Sequence, residues 1–199
     1  LGGSAAATVA AVAAVLSAFG DAAEPGVVYR LGAIAHLKAQ GSGSGIDVAA
    51  SAYGGVLAFA SHHPDWLKQR LTEESSIRRL VEGPWPHLRI ERLPWPSGWE
   101  LMVGWTGKSA STPAYLKLAA ALKQAGDPRY DAFLSAMQAS SQALMEGLNA
   151  VDPTRTMAAI RQGRAAMQAL GAALEVSLET PMLTRLADVA ERCGLAGKP

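Results

Sequence analysis

Proline spacing in the second half of the chain restricts its fold more than any other feature of the sequence. Three breaks, Asp127-Pro128, Asp152-Pro153 and Thr180-Pro181, each combine a residue that caps helices with a proline that suits the first helical position. Apolar residues recur at helical spacing around these breaks. The predicted helices span residues 113–125, 128–149, 153–176 and 181–193. Beyond residue 113 the sequence therefore predicts helix only.

The first half of the sequence mixes helical and strand patterns. Ser4 is a suitable N-cap for a helix that would run to about residue 19. Further helices are predicted over residues 28–39 and 46–53, and strands over residues 56–60, 88–93 and 99–105, with a turn at 94–98. Residues 62–86 are amphipathic and irregular. The predicted fold class is α+β, with a mixed first half, a helical second half and a break near residues 95 to 110.

Charge and cysteine content exclude several classes of protein. Lys and Arg number 18 against 17 acidic residues, and this balance gives no case for nucleic acid or an anionic membrane as partner. A single cysteine excludes an internal disulfide framework and a Cys-rich zinc site, and it agrees with a cytoplasmic location. The apolar run over residues 5–19 is too short and too rich in Ala for a membrane span.

Two glycines precede the first predicted helix. Gly2 and Gly3 allow a backbone to approach phosphate oxygens closely, and the first N–H groups of the helix, with its dipole, favour an anion. The Ser4 hydroxyl could cap the helix, bind phosphate or ligate magnesium. Taken alone, this motif is more typical of a turn and a cap.

A second loop, over residues 39–47, alternates glycine and serine before an aspartate. Ser42 and Ser44 offer hydroxyls, and Asp47 would lie on the first turn of a short helix, whose dipole favours the ionised carboxylate. Such an aspartate beside a phosphate can accept a proton from an attacking oxygen or orient a magnesium ion. The alternative is a flexible loop that happens to have an aspartate near a helix start.

A third motif, over residues 103–112, leads from a predicted strand into a helix. It contains Lys108 and four hydroxyl side chains beside two glycines, which suits a second anion site for a phosphorylated substrate. Ser and Thr clusters before helices more often act as caps, so this reading also stays open when the motif is taken alone.

In this order, the three motifs resemble those of the bacterial phosphomevalonate kinases, within the GHMP kinase superfamily. Their ATP loop is similar to Gly-Leu-Gly-Ser-Ser before a helix, although Gly3 stands here where a serine is usual. Their second loop is similar to Ala-His-x-x-Ala-Gln-Gly-x-Gly-Ser-Gly-x-Asp-Val-Ala-Ala-Ser, a pattern that residues 35–51 follow throughout. Residues 103–111 match their Val-Gly-Trp-Thr segment. The resemblance is strong over residues 1–59 and 101–112 and loose elsewhere.

The resemblance implies an enzyme with the two-domain GHMP kinase fold. It would phosphorylate 5-phosphomevalonate to 5-diphosphomevalonate in the mevalonate pathway of isoprenoid biosynthesis, with ATP and Mg²⁺. Residues 1–95 would be part of the N-terminal ATP-binding domain, and residues 96–199 part of the C-terminal domain. The superfamily's first strands and its last glycine-rich motif are absent from the sequence, which predicts a chain truncated at both ends.

The resemblance also implies roles for individual residues. Asp47 matches the aspartate proposed as catalytic base or electrostatic organiser, and Ser4 matches the serine that ligates magnesium. The residues expected to hold the ATP phosphates are Gly2, Gly3, Ser4 and Ala5. Those expected to hold phosphomevalonate are His36, Ser42, Ser44, Gly45, Lys108, Ser109 and Ser111.

Some alternatives stay open at this stage. Mevalonate kinases have a magnesium-binding glutamate eleven residues before the catalytic aspartate, where this sequence has His36. A different metal arrangement, a contact to the substrate phosphate and a structural histidine are all compatible with that difference. Another GHMP kinase, acting on mevalonate or a sugar, and a non-catalytic ligand-binding relative are the alternative functions. The sequence leaves the oligomeric state undetermined.

Two other features are predicted to have no chemical role. His62 and His63 have no acidic or cysteine partner at ligand spacing, which indicates a solvated turn rather than a metal site. Trp85, Trp95 and Trp99 alternate with prolines, which indicates surface packing around a hairpin.

Overall fold

Helices make up most of both halves of the chain in the computed structural model, which describes residues 2–41, 43–107 and 112–198. The chain divides into two units, Leu1–Trp95 and Pro96–Pro199. In the first unit, the elements are α1 (Gly3–Ala18), α2 (Pro25–Gln40), α3 (Ile46–Tyr53), β1 (Val56–Ala60), α4 (Pro64–Glu73), α5 (Ile77–Glu82) and β2 (Arg89–Leu93). In the second unit, they are α6 (Thr112–Gln124), α7 (Pro128–Asn149), α8 (Pro153–Ala173) and α9 (Pro181–Arg192).

The core of the first unit lies where α1, α2 and α3 pack together. Ala5 and Val9 of α1 are buried, as is Val48 of α3. A Cβ placed on Gly32 of α2 would lie 2.9 Å from Cγ1 of Val48 and 3.6 Å from Cγ2 of Val9. Since no larger residue fits there, the small side chains of α1 and α2 allow the three helices to approach closely.

The two strands form an antiparallel pair in which Val56 lies opposite Leu93 and Phe59 opposite Ile90. The strand predictions for residues 56–60 and 88–93 are confirmed. The predicted strand at 99–105 is wrong, because residues 99–106 form no regular element. β2 pairs instead with β1, and the described chain offers residues 101–105 no partner strand, without which an alternating segment cannot form a ladder.

Three local predictions in the first unit also need correction. Residues 62–86 contain two helices, α4 and α5, rather than irregular chain. α2 begins at Pro25, three residues earlier than predicted, because a proline suits the first helical turn. Ser4 is not the N-cap of α1: Gly2 takes that position, and no side chain caps the helix.

The second unit is helical from α6 onward, as predicted. Asp127, Asp152 and Thr180 are the N-caps of α7, α8 and α9, and each side chain accepts a hydrogen bond from a backbone N–H of the first turn. α7 and α8 approach closely at glycines: a Cβ on Gly147 would lie 2.8 Å from the backbone nitrogen of Thr156. Of the helices in the described part of the chain, none is long and apolar enough to cross a membrane.

Candidate functional site

The amino end of α1 presents unbonded backbone donors. The first hydrogen bond of the helix runs from the Ala6 N–H to the Gly2 carbonyl at 2.9 Å, so Gly3, Ser4 and Ala5 have no acceptor within the helix. Gly2 has a φ of 64°, which favours glycine, and no described atom lies within 4 Å of a Cβ placed on Gly2 or Gly3. An anion can therefore approach these N–H groups closely.

Ser4 and Ala5 differ in what they offer to a ligand. Ala5 is fully buried in the core as a whole residue, so its contact with the ATP phosphates stays a prediction. The Ser4 side chain is exposed, and its Oγ lies 3.4 Å from Nε2 of His36. Gln40 Nε2 donates a hydrogen bond to the same oxygen at 3.1 Å. Two side chains from the last turns of α2 therefore hold the start of α1.

His36 connects the start of α1 with the glycine-rich loop. We refer to residues 43–45 as the Gly/Ser loop. His36 is half-buried, and its Nδ1 lies 3.6 Å from the position that a Cβ on Gly43 would take. Since the other ring nitrogen faces Ser4, the imidazole lies between the two motifs that the sequence singles out for phosphate binding. The structure thus brings Ser4, His36 and Gly43 together.

The Gly/Ser loop leads directly into α3. Ser44 is exposed, and its Oγ accepts a hydrogen bond from the backbone N–H of Ile46 at 3.4 Å, while its carbonyl accepts one from the Ser61 hydroxyl at 2.7 Å. Gly45 is the N-cap of α3, with a φ of 78°. The contact of the Ser44 hydroxyl is thus local and weak, which leaves its remaining hydrogen-bonding capacity available to a ligand.

Asp47 lies on the first turn of α3, as predicted. Its side chain is exposed, and within the described chain no side chain forms a hydrogen bond or ion pair with its carboxylate. The positive end of the helix dipole stabilises a carboxylate at this position. Asp47 is thus held two residues beyond the Gly/Ser loop, with its charge available to a ligand or a cation.

A buried cluster of aromatic side chains packs against the Gly/Ser loop on its inner side. Tyr29 is fully buried, and His62 is only 3% exposed; Nδ1 of His62 lies 3.4 Å from the Tyr29 hydroxyl. Burial raises the pKa of the Tyr29 hydroxyl well above its ordinary value and lowers the pKa of the His62 imidazole. Both side chains are therefore neutral at physiological pH.

The prediction of a solvated turn is wrong for His62, although His63 is exposed. Trp85 is also buried, with its indole N–H donating to the Leu80 carbonyl at 2.9 Å, so it does not lie on the surface. Sequence reasoning missed the burial of His62, because it depends on contact with Tyr29, which is distant in the chain. Gln40 was missed as a site residue for a different reason: it belongs to the motif, but nothing local shows that it faces Ser4.

A cavity of about 10 Å³ lies between the loop and this cluster. His36, Gly43, Gly45 and His62 contribute to its lining. It has room for about one water molecule, so a nucleotide or a phosphorylated substrate cannot enter it. Gly3, Ser4 and Asp47, in contrast, are exposed to solvent.

Several predicted residues lie outside the described part of the chain. They are Ser42, Lys108, Ser109 and Ser111. Their predicted contacts to phosphomevalonate stay predictions, as do those of His36, Ser44 and Gly45.

The described residues could hold magnesium only together with ligands from the substrate phosphates. Among them, no group of three His, Cys, Asp or Glu side chains gathers to hold a metal ion. Magnesium in kinases is usually held by one or two protein oxygens together with substrate phosphates. The exposed Ser4 hydroxyl is such a donor, because Gln40 occupies only one of its two lone pairs.

Comparison with known proteins agrees with the resemblance seen in the motifs. Residues 1–55 match the family model described as GHMP kinases N terminal domain. The whole chain is 33% identical to a phosphomevalonate kinase from Streptomyces sp. (strain CL190), of which it covers 53%. The chain thus spans about half the length of the curated relative that it matches, and the resemblance to the phosphomevalonate kinases is confirmed over the whole of this chain.

Solved structures agree with the fold. A Lin0012 protein from Listeria innocua has a TM-score of 0.87 and 34% identity, over 98% of this chain and 54% of that one. Streptococcus pneumoniae phosphomevalonate kinase, in complex with phosphomevalonate and AMPPNP, has a TM-score of 0.71 and 20% identity, over 90% of this chain and 51% of that one. The predicted α+β fold of the GHMP type is confirmed.

Proposed function

Because this chain is related to the phosphomevalonate kinases of the GHMP superfamily, we propose that it forms part of an enzyme that transfers the γ-phosphate of ATP to 5-phosphomevalonate. The products would be ADP and 5-diphosphomevalonate, an intermediate of isoprenoid biosynthesis. We further propose that residues 1–95 belong to its ATP-binding domain and residues 96–199 to its C-terminal domain. A cytoplasmic location stays a prediction from the single cysteine.

One observation carries this proposal: the amino end of α1 and the Gly/Ser loop meet at His36, whose ring nitrogens face Ser4 and Gly43. Two phosphorylated molecules must lie side by side for direct transfer between them. Two adjacent glycine-containing motifs, one of which starts a helix with free N–H groups, suit that requirement.

ATP would bind with its phosphates at the amino end of α1. The N–H groups of Gly3, Ser4 and Ala5 would donate to the phosphate oxygens, and Gly2 and Gly3 leave the space for close approach. The Ser4 hydroxyl would be a protein ligand for Mg²⁺. When bound, Mg²⁺ supplies charge neutralisation on the phosphates, which phosphoryl transfer needs.

The acceptor would bind on the outer side of the Gly/Ser loop, with its phosphate near Ser44 and His36. A terminal phosphate oxygen attacks the γ-phosphorus in line, and the bond from this phosphorus to the oxygen of ADP breaks. A phosphate monoester has a second pKa of about 6, so the attacking oxygen is already ionised near neutral pH. Asp47 therefore need not remove a proton, and we propose that its carboxylate orients the cationic groups around the phosphates.

The experiment is an ADP-release assay on the natural protein at its full length, with magnesium-ATP and one acceptor at a time. The acceptors are 5-phosphomevalonate, mevalonate and galactose. We expect turnover with 5-phosphomevalonate alone, and a fall in kcat of at least about 100-fold in Asp47→Ala, as is typical when a charged group aligned with a transition state is lost. Asp65→Ala is the matched control, because Asp65 is also exposed on the first turn of a helix, α4.

Each outcome separates a different alternative. Turnover with mevalonate or galactose instead would support a kinase that acts on a different acceptor. A well-folded full-length protein that turns over none of the three would refute the kinase and favour a ligand-binding role. Equal losses in Asp47→Ala and Asp65→Ala would show that the effect of Asp47 is not specific to the site.

A further inference from the structure

Two side chains beneath the Gly/Ser loop have no part in the reaction as proposed. The hydroxyl oxygen of the fully buried Tyr29 lies 3.4 Å from Nδ1 of His62. The same oxygen lies 3.0 Å from the position that a Cβ on Gly45 would occupy. A tyrosine–histidine pair therefore supports the backbone of the residue at which α3 starts.

Other aromatic side chains restrict the movement of this pair. The His62 ring packs edge-on against Trp85, with centroids 4.9 Å apart and an interplanar angle of 80°. The Tyr29 ring contacts Trp85 and Phe59, at centroid distances of 6.0 and 6.2 Å. Because these rings fix both partners, the direction of the Tyr29 hydroxyl is set by packing as well as by His62.

The segment that carries His62 also contacts the loop directly. Ser61 precedes His62 and donates its hydroxyl proton to the Ser44 carbonyl at 2.7 Å. The loop is thus supported at two consecutive residues, at Ser44 by Ser61 and at Gly45 by Tyr29. A shift of the 61–62 segment would reach both contacts together.

We propose that Tyr29 and His62 are positioning residues for phosphoryl transfer: the Tyr29 hydroxyl, oriented by the His62 imidazole, holds Gly45 in place and so fixes the start of α3 and Asp47. Gly45 and Asp47 lie within one helical turn, so displacement of the first moves the second. A neutral imidazole can accept the tyrosine proton at Nδ1, and the burial of His62 keeps it neutral. This inference rests on the proposed function, since Asp47 needs exact placement only in a kinase.

The test uses Tyr29→Phe in the natural protein at its full length, because this change removes one oxygen and keeps the ring. Tyr53→Phe is the matched control: its hydroxyl lies 3.4 Å from a Cβ position on Gly26, in the first turn of α2, and not at the loop. For each variant, kcat and KM are measured for both substrates. Hydrogen exchange of the backbone amides of residues 43–49 is measured alongside.

We expect Tyr29→Phe to lower kcat about tenfold, since small misplacements of aligned groups reduce rates by such factors, while KM for ATP changes less than about twofold. Amides of residues 43–49 should exchange faster in Tyr29→Phe. Tyr53→Phe should leave both readouts at their wild-type values. Unchanged exchange in Tyr29→Phe, or an equal fall in kcat in the control, would overturn the inference.

Substitution of His62 gives a second test. His62→Asn can place its side-chain oxygen near the position of Nδ1 and so retain an acceptor for Tyr29, whereas His62→Leu cannot. We expect His62→Asn to retain several-fold more kcat than His62→Leu at equal thermal stability. Equal kcat values in the two variants would overturn the role of His62 as acceptor.

The two proposals can fail separately. If the full-length protein transfers no phosphate, the proposed function fails, and faster loop exchange in Tyr29→Phe would still support the hold on Gly45. If phosphate is transferred and Tyr29→Phe changes neither kcat nor exchange, the kinase stands and the positioning role fails.

Discussion

The two helices that start at the candidate site begin differently from α7, α8 and α9 of the second unit. α1 and α3 of the first unit start at Gly2 and Gly45, both with positive φ angles and without a capping side chain. In the second unit, α7, α8 and α9 start at residues whose side chains accept hydrogen bonds from the first turn. At the start of α1 the first N–H groups have no acceptor within the helix, and at the start of α3 the Ile46 N–H donates only to Ser44 Oγ. In α7, α8 and α9 the N-cap side chain accepts a hydrogen bond from one N–H of the first turn.

The difference teaches how stability and binding are divided in this chain. A capping side chain stabilises a helix by about 1 kcal/mol relative to alanine but by only a few tenths relative to glycine, so α1 and α3, which start at glycines, lose little stability by lacking one. Their free donors are what an anionic ligand needs. The helices that start at the candidate site therefore lack a capping side chain, whereas α7, α8 and α9 have one.

The largest expected effect concerns the close packing of α7 against α8 in the second unit. Gly147→Ala should lower the free energy of unfolding of that unit by about 3 kcal/mol, because the new Cβ would lie 2.8 Å from the Thr156 backbone nitrogen, which cannot move aside. Urea unfolding followed by hydrogen exchange in α7 measures this loss. Exchange in residues 43–49 should not change.

Gly163→Ala is the matched control for that prediction. Its Cβ would lie 2.8 Å from the Ser140 hydroxyl oxygen, the end of a side chain rather than backbone. Overpacking against an adaptable neighbour should cost about 1 kcal/mol. If both variants lost the same stability, backbone contact would not explain the tight α7–α8 packing.

The sequence could predict features that depend on neighbouring residues, but not contacts between distant ones. The starts of α7, α8 and α9 follow from two adjacent residues each, so the sequence predicts them. The pairing of β1 with β2, and the contact between Tyr29 and His62 at a separation of 33 residues, depend on chain folding over long distances. No local pattern contains that information. For this reason the sequence predicted a turn between strands at residues 88–93 and 99–105, whereas β2 pairs with β1.

The motif glycines could be predicted as a site, but not the reason for each one. The sequence indicated that Gly45 allows close approach by a ligand. The structure places the buried Tyr29 hydroxyl 3.0 Å from the position of a Cβ on Gly45. Ser4 was predicted as a cap because serine favours that position, and the positive φ of Gly2 moved the cap by two residues.

Gly45→Ala tests the support beneath the start of α3. It should lower stability by about 2 kcal/mol, through the φ of 78° and the 3.0 Å approach to the Tyr29 hydroxyl. The added change Tyr29→Phe removes the second cause only, so the double variant should recover part of the loss. Gly126→Ala in the second unit, with a φ of 64° and no described atom within 4 Å, should show the backbone cost alone.

Thermal unfolding of the four proteins in that cycle measures the coupling. Strictly additive losses for Gly45→Ala and Tyr29→Phe would show that the hydroxyl does not press on Gly45. A loss in Gly126→Ala as large as that in Gly45→Ala would assign the whole effect to backbone conformation.

A carboxylate at the start of α1 should raise the stability of the protein while it weakens the binding of ATP. Gly3→Asp meets no described atom within 4 Å and complements the helix dipole, so stability should rise by about 0.5 kcal/mol. The same charge repels the ATP phosphates, and ATP affinity should fall about tenfold or more. Met182→Asp, at an exposed position on the first turn of α9, should give the gain without the loss. Calorimetric titration with a non-hydrolysable ATP analogue measures affinity; an unchanged value in Gly3→Asp would remove α1 from the phosphate site.

The smallest expected effect is a difference in the pH at which each unit loses stability. Burial lowers the pKa of His62 from its ordinary value of 6.5, so as pH falls the unfolded chain binds a proton before the folded one, and the first unit loses stability from about pH 6.5 downward. The Tyr29 hydroxyl faces the His62 ring, and His36 lines the same small cavity. In the second unit, a hydrogen bond from the Arg129 side chain lowers the pKa of Asp127 from 3.8 to about 2. The contribution of Asp127 to stability therefore persists until pH falls below 3.8 and is lost as pH falls through about 2.

Hydrogen exchange of α2 and α7 between pH 7 and 4 should therefore show weakening in α2 first. His62→Asn should remove that early loss, and an early loss that persists in this variant would assign it to another group of the first unit.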